Sequence, residues 1–255
     1  MVSLTTQSDF RKVRDLPFCC VCGKQFAAGD LCDNNHVPPK TIFKKSDRLP
    51  LKLKTHKACN ERHSGDDENL GQLIGAMDGR LPTDPKKQRL RVRPAAPSVG
   101  WITNLNIDAA IWRWVRGCNA GLYLEPLLSK SFSIVSPFPR ADQIDDGPFR
   151  LRPILDQHPL FVQVIKTQRM HGELDRIETN NRSFIYECAW GRSDDATKWI
   201  CMFAIKIYDW KRLGMTPLGP HRGCAGCYMV DAVPDGATHV TEWSIILDPL
   251  EPFGA

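Results

Sequence analysis

The chain has 255 residues, of which 42% are hydrophobic and 25% charged, with a net charge of +5. This length can bury the core of one large domain or of two modest ones, and we favour two domains. Its ten cysteines form a small fraction of the chain, and neither an apolar leader nor a run of about eighteen apolar residues is visible. These features argue against a disulfide scaffold, a signal peptide and a membrane span, so we expect reduced, metal-bound thiols and a cytoplasmic location.

Residues 1–15 are polar and predict a mobile lead-in. The segment that follows holds two pairs of metal ligands, Cys19 with Cys22 and His56 with Cys59. Because two residues separate the members of each pair, a pair fits one tight turn and directs two soft ligands at one point. Two such pairs predict a tetrahedral structural zinc site, which ties down a segment too small to fold alone. The alternative interpretation is buried thiols and an ordinary surface histidine.

His36 is the one histidine among the 33 residues between these pairs, and the prolines after Val37 favour extended backbone. We predict a short hairpin whose first strand ends at His36. Phosphodiester hydrolysis needs a base that deprotonates water and a hard cation that offsets charge on the phosphate. His36 is the candidate base, and Asn35, Asn60 and Asp33 are candidate oxygen ligands for Mg²⁺ or Mn²⁺. The alternatives are a histidine that only hydrogen-bonds within the hairpin and an Asn60 that caps a helix.

Positive charge is concentrated in residues 1–100, which carry 18 Lys and Arg against 11 Asp and Glu, whereas the rest carry 16 against 18. One cluster surrounds the ligand pairs and a second follows them: Lys40, Lys44, Lys45, Arg48, Lys52, Lys54 and Lys57, then Lys86, Lys87, Arg89, Arg91 and Arg93. Nucleic-acid phosphates are the natural counterpart, although either cluster alone is also typical of a solvated face. We predict that Lys40, Lys44 and Lys45 bind nucleic acid, with double-stranded DNA favoured.

A helix is predicted from Ser64, because Ser64 followed by the acids Asp66–Glu68 resembles an N-terminal cap with acids in the first turn. Apolar residues recur at helical spacing from Leu70 to Met77. His63, one turn past Asn60, is a further candidate ligand. Residues 81–100 hold four prolines among basic residues and predict a linker between a domain of residues 1–80 and a second domain of residues 101–255.

The second predicted domain is α+β, with one helix followed by an antiparallel sheet. The helix is predicted to end at Gly117 and to share one face among Ile107, Ile111, Trp114 and Val115. Strands rich in β-branched and aromatic residues are predicted at Leu160–Ile165, Ser183–Trp190, Lys198–Trp210 and His239–Leu247. His221, Cys224 and Cys227 form another ligand-rich segment, which fits either a second zinc site or a plain loop. This domain is a candidate for contact with substrate, a protein partner or a second copy of the chain.

The motifs resemble those of HNH endonucleases of the ββα-metal type, in the version with Cys-x-x-Cys-Gly, an acid-His-Val-Pro-Pro-Lys segment and Cys-x-x-Cys-Asn. Here they stand at Cys19–Gly23, Asn35–Lys40 and His56–Asn60. The resemblance covers residues 18–70 and implies a zinc-braced ββα-metal domain, with a hairpin and a helix around a divalent ion. It also implies His36 as general base, Asn60 near that ion, 5′-phosphate products, and a mobile-element, restriction or phage-defence role.

Three positions depart from that pattern. Asn35 replaces the acid that usually precedes the histidine, which exchanges a charge for a dipole, and Asp33 is the compensating carboxylate. The family's middle Asn falls near Leu49, so Asp47 is the nearest residue able to brace the hairpin loop. His56 replaces a cysteine, which zinc tolerates. The rival interpretations are a catalytically inactive, zinc-dependent nucleic-acid-binding module and an interaction protein whose sheet domain recognises a partner.

Overall fold

The computed structural model describes residues 1–43, 50–77, 84–96, 99–102, 107–128, 132–135, 174–180, 182–192, 197–207 and 223–237. The described helices are α1 (Gln7–Lys12), α2 (Lys57–Met77) and α3 (Ile107–Tyr123), with short 3-10 segments at Lys40–Ile42 and Pro85–Lys87. The described strands are β1 (Ser3–Leu4), β2 (Cys32–Val37), β3 (Leu51–His56), β4 (Val92–Ala96), β5 (Val99–Ile102), β6 (Phe132–Val135), β7 (Asp175–Thr179), β8 (Phe184–Arg192), β9 (Trp199–Ile207) and β10 (Gly223–Val230). The predicted α+β class is confirmed.

The largest sheet has the strand order β1-β7-β8-β9-β10-β6, and β2-β3 and β4-β5 form two small antiparallel sheets. The large sheet is mixed, whereas the sequence predicted an antiparallel one, because β1 pairs in parallel with β7. Strands β8 and β9 lie where Ser183–Trp190 and Lys198–Trp210 predicted them. The strands predicted at Leu160–Ile165 and His239–Leu247 lie outside the described residues.

The N-terminal segment is ordered, so the predicted mobile lead-in is wrong. Leu4 of β1 and Phe10 of α1 are buried, and the backbone N–H of Val2 donates to Asp175 Oδ1 at 2.6 Å. Helix α1 begins with a capping box, in which Thr6 and Asp9 satisfy each other's backbone N–H groups. The segment therefore forms the edge of the large sheet rather than preceding the fold.

The β2-β3 hairpin is antiparallel, with register pairs from Cys32 with His56 to Val37 with Leu51. The predicted strand end at His36 is confirmed to within one residue. Helix α2 begins at Lys57, directly after β3, so the predicted start at Ser64 is wrong. Ser64 lies inside the helix, where its hydroxyl donates to the Glu61 carbonyl at 2.9 Å.

Helix α3 continues six residues past Gly117, where the sequence predicted its end. A Cβ atom at Gly117 would lie 2.6 Å from Val37 Cγ2, so this glycine allows a close approach of α3 to β2. The predicted apolar face is confirmed for Ile111, Trp114 and Val115, all of which are buried. The side chain of Ile107 lies outside the described residues.

One hydrophobic cluster combines buried residues of the β2-β3 hairpin, α2, α3 and the large sheet. Within the predicted linker, β4 pairs with β5, and the side chain of Gln72 on α2 bonds to the backbone of Lys87 and Arg89. The domain boundaries at residues 80 and 100 stay predictions. Among the described helices, none combines the length and the hydropathy needed to cross a bilayer.

Candidate zinc site and the histidine face of the hairpin

A tight turn presents the first ligand pair. The backbone N–H of Gly23 donates to the Cys19 carbonyl at 2.8 Å, and that of Cys19 donates to the Lys24 carbonyl at 2.9 Å. Gly23 has a φ of +76°, which glycine adopts without strain. The turn closes with a bridge between Phe18 and Gln25. The local geometry is therefore the one that the Cys-x-x-Cys spacing predicted.

The second pair comes from the end of β3, at His56, and the first turn of α2, at Cys59. The ligand atoms of Cys19, Cys22, His56 and Cys59 all lie within 4.8 Å of one another, and His56 Nδ1 lies 3.4 Å from Cys22 Sγ. In a tetrahedral zinc site two sulfurs are about 3.8 Å apart. Small side-chain rotations would bring ligand atoms that are up to 4.8 Å apart to the separations of a zinc site. These four residues can therefore hold a metal ion, and their chemistry fits zinc.

The environment of Cys19 favours the thiolate, which is the form that binds zinc. Burial raises the pKa of Cys19, but bonds from Thr55 and from the backbone N–H groups of Cys22, His56 and Val21 lower it to about 6. The Thr55 hydroxyl lies 3.1 Å from the sulfur and the His56 N–H 3.4 Å.

The environment of Cys59 has the opposite effect and favours the protonated thiol. Burial and the charges of Cys19 and Cys22 raise the pKa of Cys59 to about 12. Like charges at such separations do not ionise together without a cation. Cys59 would therefore lose its proton most readily when a metal ion is bound.

A carboxylate orients His56. Asp30 Oδ2 lies 3.2 Å from His56 Nε2 and also accepts the backbone N–H of Ala27 at 2.7 Å. An acceptor at Nε2 favours a proton there and leaves the Nδ1 lone pair for a metal. The ring of Phe26 packs edge-on against the imidazole at 4.8 Å and restricts its rotation. No motif in the sequence pointed to Asp30 or Thr55.

His36 lies on β2, directly opposite Lys52 of β3. Burial, then the charges of Lys52 and Lys40, lower the pKa of His36, and the nearby Asp33 opposes them. The imidazole is therefore mainly neutral near pH 7 and can accept a proton. Among the described residues neither ring nitrogen has a hydrogen-bond partner, so the ring is open to a water or a substrate.

The structure brings Asp33 and Asn60 together. Asp33 Oδ2 accepts the Asn60 amide at 2.7 Å, while Asp33 Oδ1 accepts the backbone N–H of Asn34 at 2.7 Å. These two bonds, that from Asn34 first, lower the pKa of Asp33. Asn35 instead directs its amide to Cys20 Sγ at 3.8 Å. Strand alternation puts Asp33 and Asn35 on one face of β2 and His36 on the other.

Of the predicted nucleic-acid-binding lysines, Lys40 is exposed beside the end of β2, and Lys44 and Lys45 lie outside the described residues, as do Asp47 and Leu49. Lys52 belongs to the first basic cluster of the sequence but was not among the lysines predicted to bind nucleic acid, although the burial pattern of β3 distinguishes it. Leu51, Leu53 and Thr55 are buried at alternate positions of β3, which turns the residues between them to the face of His36.

The remaining predicted ligands form no comparable cluster in the described part of the chain. His63 is half-buried, with Nδ1 3.9 Å from Asp66 Oδ2. His221 and the side chain of Cys224 are not described. Cys227 lies in β10, so the plain-loop alternative is wrong for it, and burial raises the pKa of Cys227 to about 11. The second zinc site stays a prediction.

Comparisons of the chain with protein-family models, with curated proteins and with solved structures gave no match. The resemblance to HNH endonucleases therefore rests on the motif residues themselves.

Proposed function

We propose that the chain is a metal-dependent HNH endonuclease that hydrolyses phosphodiester bonds of DNA. The observation that carries the proposal is the arrangement of the motif residues on β2, β3 and α2. His36 lies on the first strand of a hairpin, and a helix that begins directly after the second strand carries Asn60 in its first turn. The zinc ligands His56 and Cys59 span the junction between that strand and the helix.

The zinc has a structural role in this proposal. Its four protein ligands leave no open position for water or substrate. Because Cys59 precedes Asn60, a metal that fixes the cysteine also fixes the start of α2 and the amide beside it. The zinc centre would thus position a second site at the start of α2.

Asp33 and Asn60 would hold a second, hard cation, since carboxylate and amide oxygens suit Mg²⁺ or Mn²⁺, with Asn35 as the further predicted ligand. Such a cation would offset the charge that develops on the phosphate and the leaving oxygen. The Asn60 amide, whose nitrogen donates to Asp33, would offer its oxygen after a rotation of the amide group. Asp33 thereby supplies the negative charge that is absent at Asn35.

His36 is the general base. Its neutral imidazole takes a proton from water, which attacks the phosphorus in line, and the 3′ oxygen leaves to give a 5′-phosphate product. Lys40, Lys44 and Lys45 bind flanking phosphates, and Lys52, opposite His36, joins them. The two lysines described beside His36 serve two purposes: they attract phosphate and they keep the base unprotonated.

One observation favours the rival, a catalytically inactive zinc-dependent nucleic-acid-binding module. The position before His36 is an amide, and this amide contacts a buried cysteine rather than Asn60. In that case the lysines beside His36, Lys40 and Lys52, bind nucleic acid, and the Asp33–Asn60 hydrogen bond has only a structural role.

Cleavage of supercoiled plasmid tests the proposal. Wild type, His36→Ala, Asp33→Asn and His158→Ala are compared with Mg²⁺, with Mn²⁺ and with a chelator. We expect cutting by wild type and by His158→Ala, a control histidine outside the motif residues 18–70, with loss in His36→Ala and a higher metal requirement in Asp33→Asn. Undiminished cutting by His36→Ala excludes this mechanism. No cutting by wild type, together with salt-dependent DNA binding, selects the rival.

A further inference from the structure

Arg116 on α3 lies against the zinc-binding turn. Its Nη2 is 3.8 Å from the position of a Cβ atom at Gly23, the residue that follows Cys22. The side chain is half-buried, and its Nε is buried without a hydrogen-bond partner. Among the described residues Arg116 forms no ion pair with a carboxylate. A half-buried guanidinium of this kind requires another source of negative charge.

The negative charges that act on Arg116 are those of cysteine sulfurs. Burial lowers the pKa of Arg116, and the charges of Cys22, Cys19, Cys20 and Cys59 raise it. Three of these four cysteines are the predicted zinc ligands, and Arg116 packs against the turn that carries two of them.

The charge balance of the site explains why a cation belongs there. Zn²⁺ with three thiolates and one neutral imidazole has one excess negative charge. Asp30, bonded to His56, adds a further negative charge at the exposed side. The half-buried guanidinium of Arg116 offsets this excess where water screens charge less than it does at the surface.

We propose that Arg116 is a positioning residue of the zinc centre: its half-buried guanidinium is the counter-charge that holds the Cys19–Gly23 turn against α3. The proposal rests on the zinc site and is independent of nuclease activity. It also makes α3 a part of the metal centre, although α3 supplies no ligand.

Zinc affinity of the full-length chain tests this role. Wild type, Arg116→Gln, Arg116→Lys and Arg113→Gln compete for zinc with a chromogenic chelator, and Co²⁺ spectra report whether the site stays tetrahedral. We expect Arg116→Gln to weaken zinc binding about 10- to 100-fold, the usual effect of losing an outer partner of a metal site. Arg116→Lys should lose less, because it keeps the charge. Arg113→Gln is the matched control on the same face of α3 and should bind zinc as wild type does.

Zinc affinity of Arg116→Gln within about twofold of wild type overturns the proposal, provided that circular dichroism shows an intact fold. If Arg116→Gln does not fold, Arg116→Lys decides. Near-wild-type affinity in the lysine variant supports a charge role, and a loss of tenfold or more with an intact fold excludes it.

Discussion

Replacing Gly117 with alanine tests whether α3 packs directly on the strand that carries His36. In an isolated helix this change stabilises by about 1 kcal/mol, because glycine is the poorer helix former. Here the new Cβ would lie 2.6 and 2.9 Å from the two methyl groups of Val37, against about 3.5–4.0 Å for an ordinary contact between carbon atoms. Val37 is 1% exposed, and rotation about its χ1 exchanges one methyl group for the other. The side chain therefore cannot move away from the new Cβ atom. Overpacking costs about 1–3 kcal/mol, and after the helix-propensity gain of about 1 kcal/mol is subtracted the net destabilisation is about 0–2 kcal/mol.

Urea unfolding followed by circular dichroism, at a fixed excess of zinc, measures this change in the free energy of unfolding. Gly65→Ala is the matched control, since Gly65 is exposed in α2 and a Cβ there meets nothing within 4 Å. We expect Gly65→Ala to stabilise by about 1 kcal/mol. A stabilised Gly117→Ala beside a stabilised Gly65→Ala would refute the close packing of α3 on β2.

Two further predictions concern the metal and the base. Cys59→Ser should lower the zinc content from about one equivalent per chain and unfold the N-terminal region. Cys32→Ser, at an exposed cysteine outside the cluster, should keep both the zinc and the fold. Metal analysis with circular dichroism checks this, and a zinc-free wild type that is stably folded would exclude a structural zinc. Lys52→Ala removes a positive charge opposite His36, and this removal favours the imidazolium form. The pKa of His36 should therefore rise, and the acid limb of the pH profile of cleavage should move to higher pH. An NMR titration in which the pKa of His36 does not rise contradicts this electrostatic account.

The zinc ligands were predictable because a two-residue spacing of Cys and His restricts geometry within one turn, and four ligand atoms within 4.8 Å confirm that a metal can bind there. The hairpin was predictable for a similar local reason. The start of α2 was not: Ser64 and the acids after it resemble a cap, yet the helix already begins at Lys57, where β3 and the metal ligands fix the backbone. The parallel pairing of β1 with β7 joins residues more than 170 positions apart, and no local pattern contains that information.

Helix α3 shows why a hydrophobic pattern in the sequence predicts only one of the two packed faces of a helix. Its apolar face, which the sequence predicted, contacts the large sheet, where the rings of Trp114 and Phe184 meet at 6.3 Å. The opposite face carries Arg113, Arg116 and Gly117, which helical spacing places together.

Each residue of this second face contacts a different element, namely α2, β2 or the Cys19–Gly23 turn. Arg113 Nη2 donates to Asp67 Oδ1 of α2 at 2.8 Å, Gly117 meets Val37, and Arg116 lies against Gly23. Two arginines and a glycine have the composition of a solvent-exposed stripe, and the apolar periodicity of the sequence gives no sign that this side of α3 is packed. Charge pairing and close backbone approach take the place of apolar burial there, and only the positions of the partner residues make that visible.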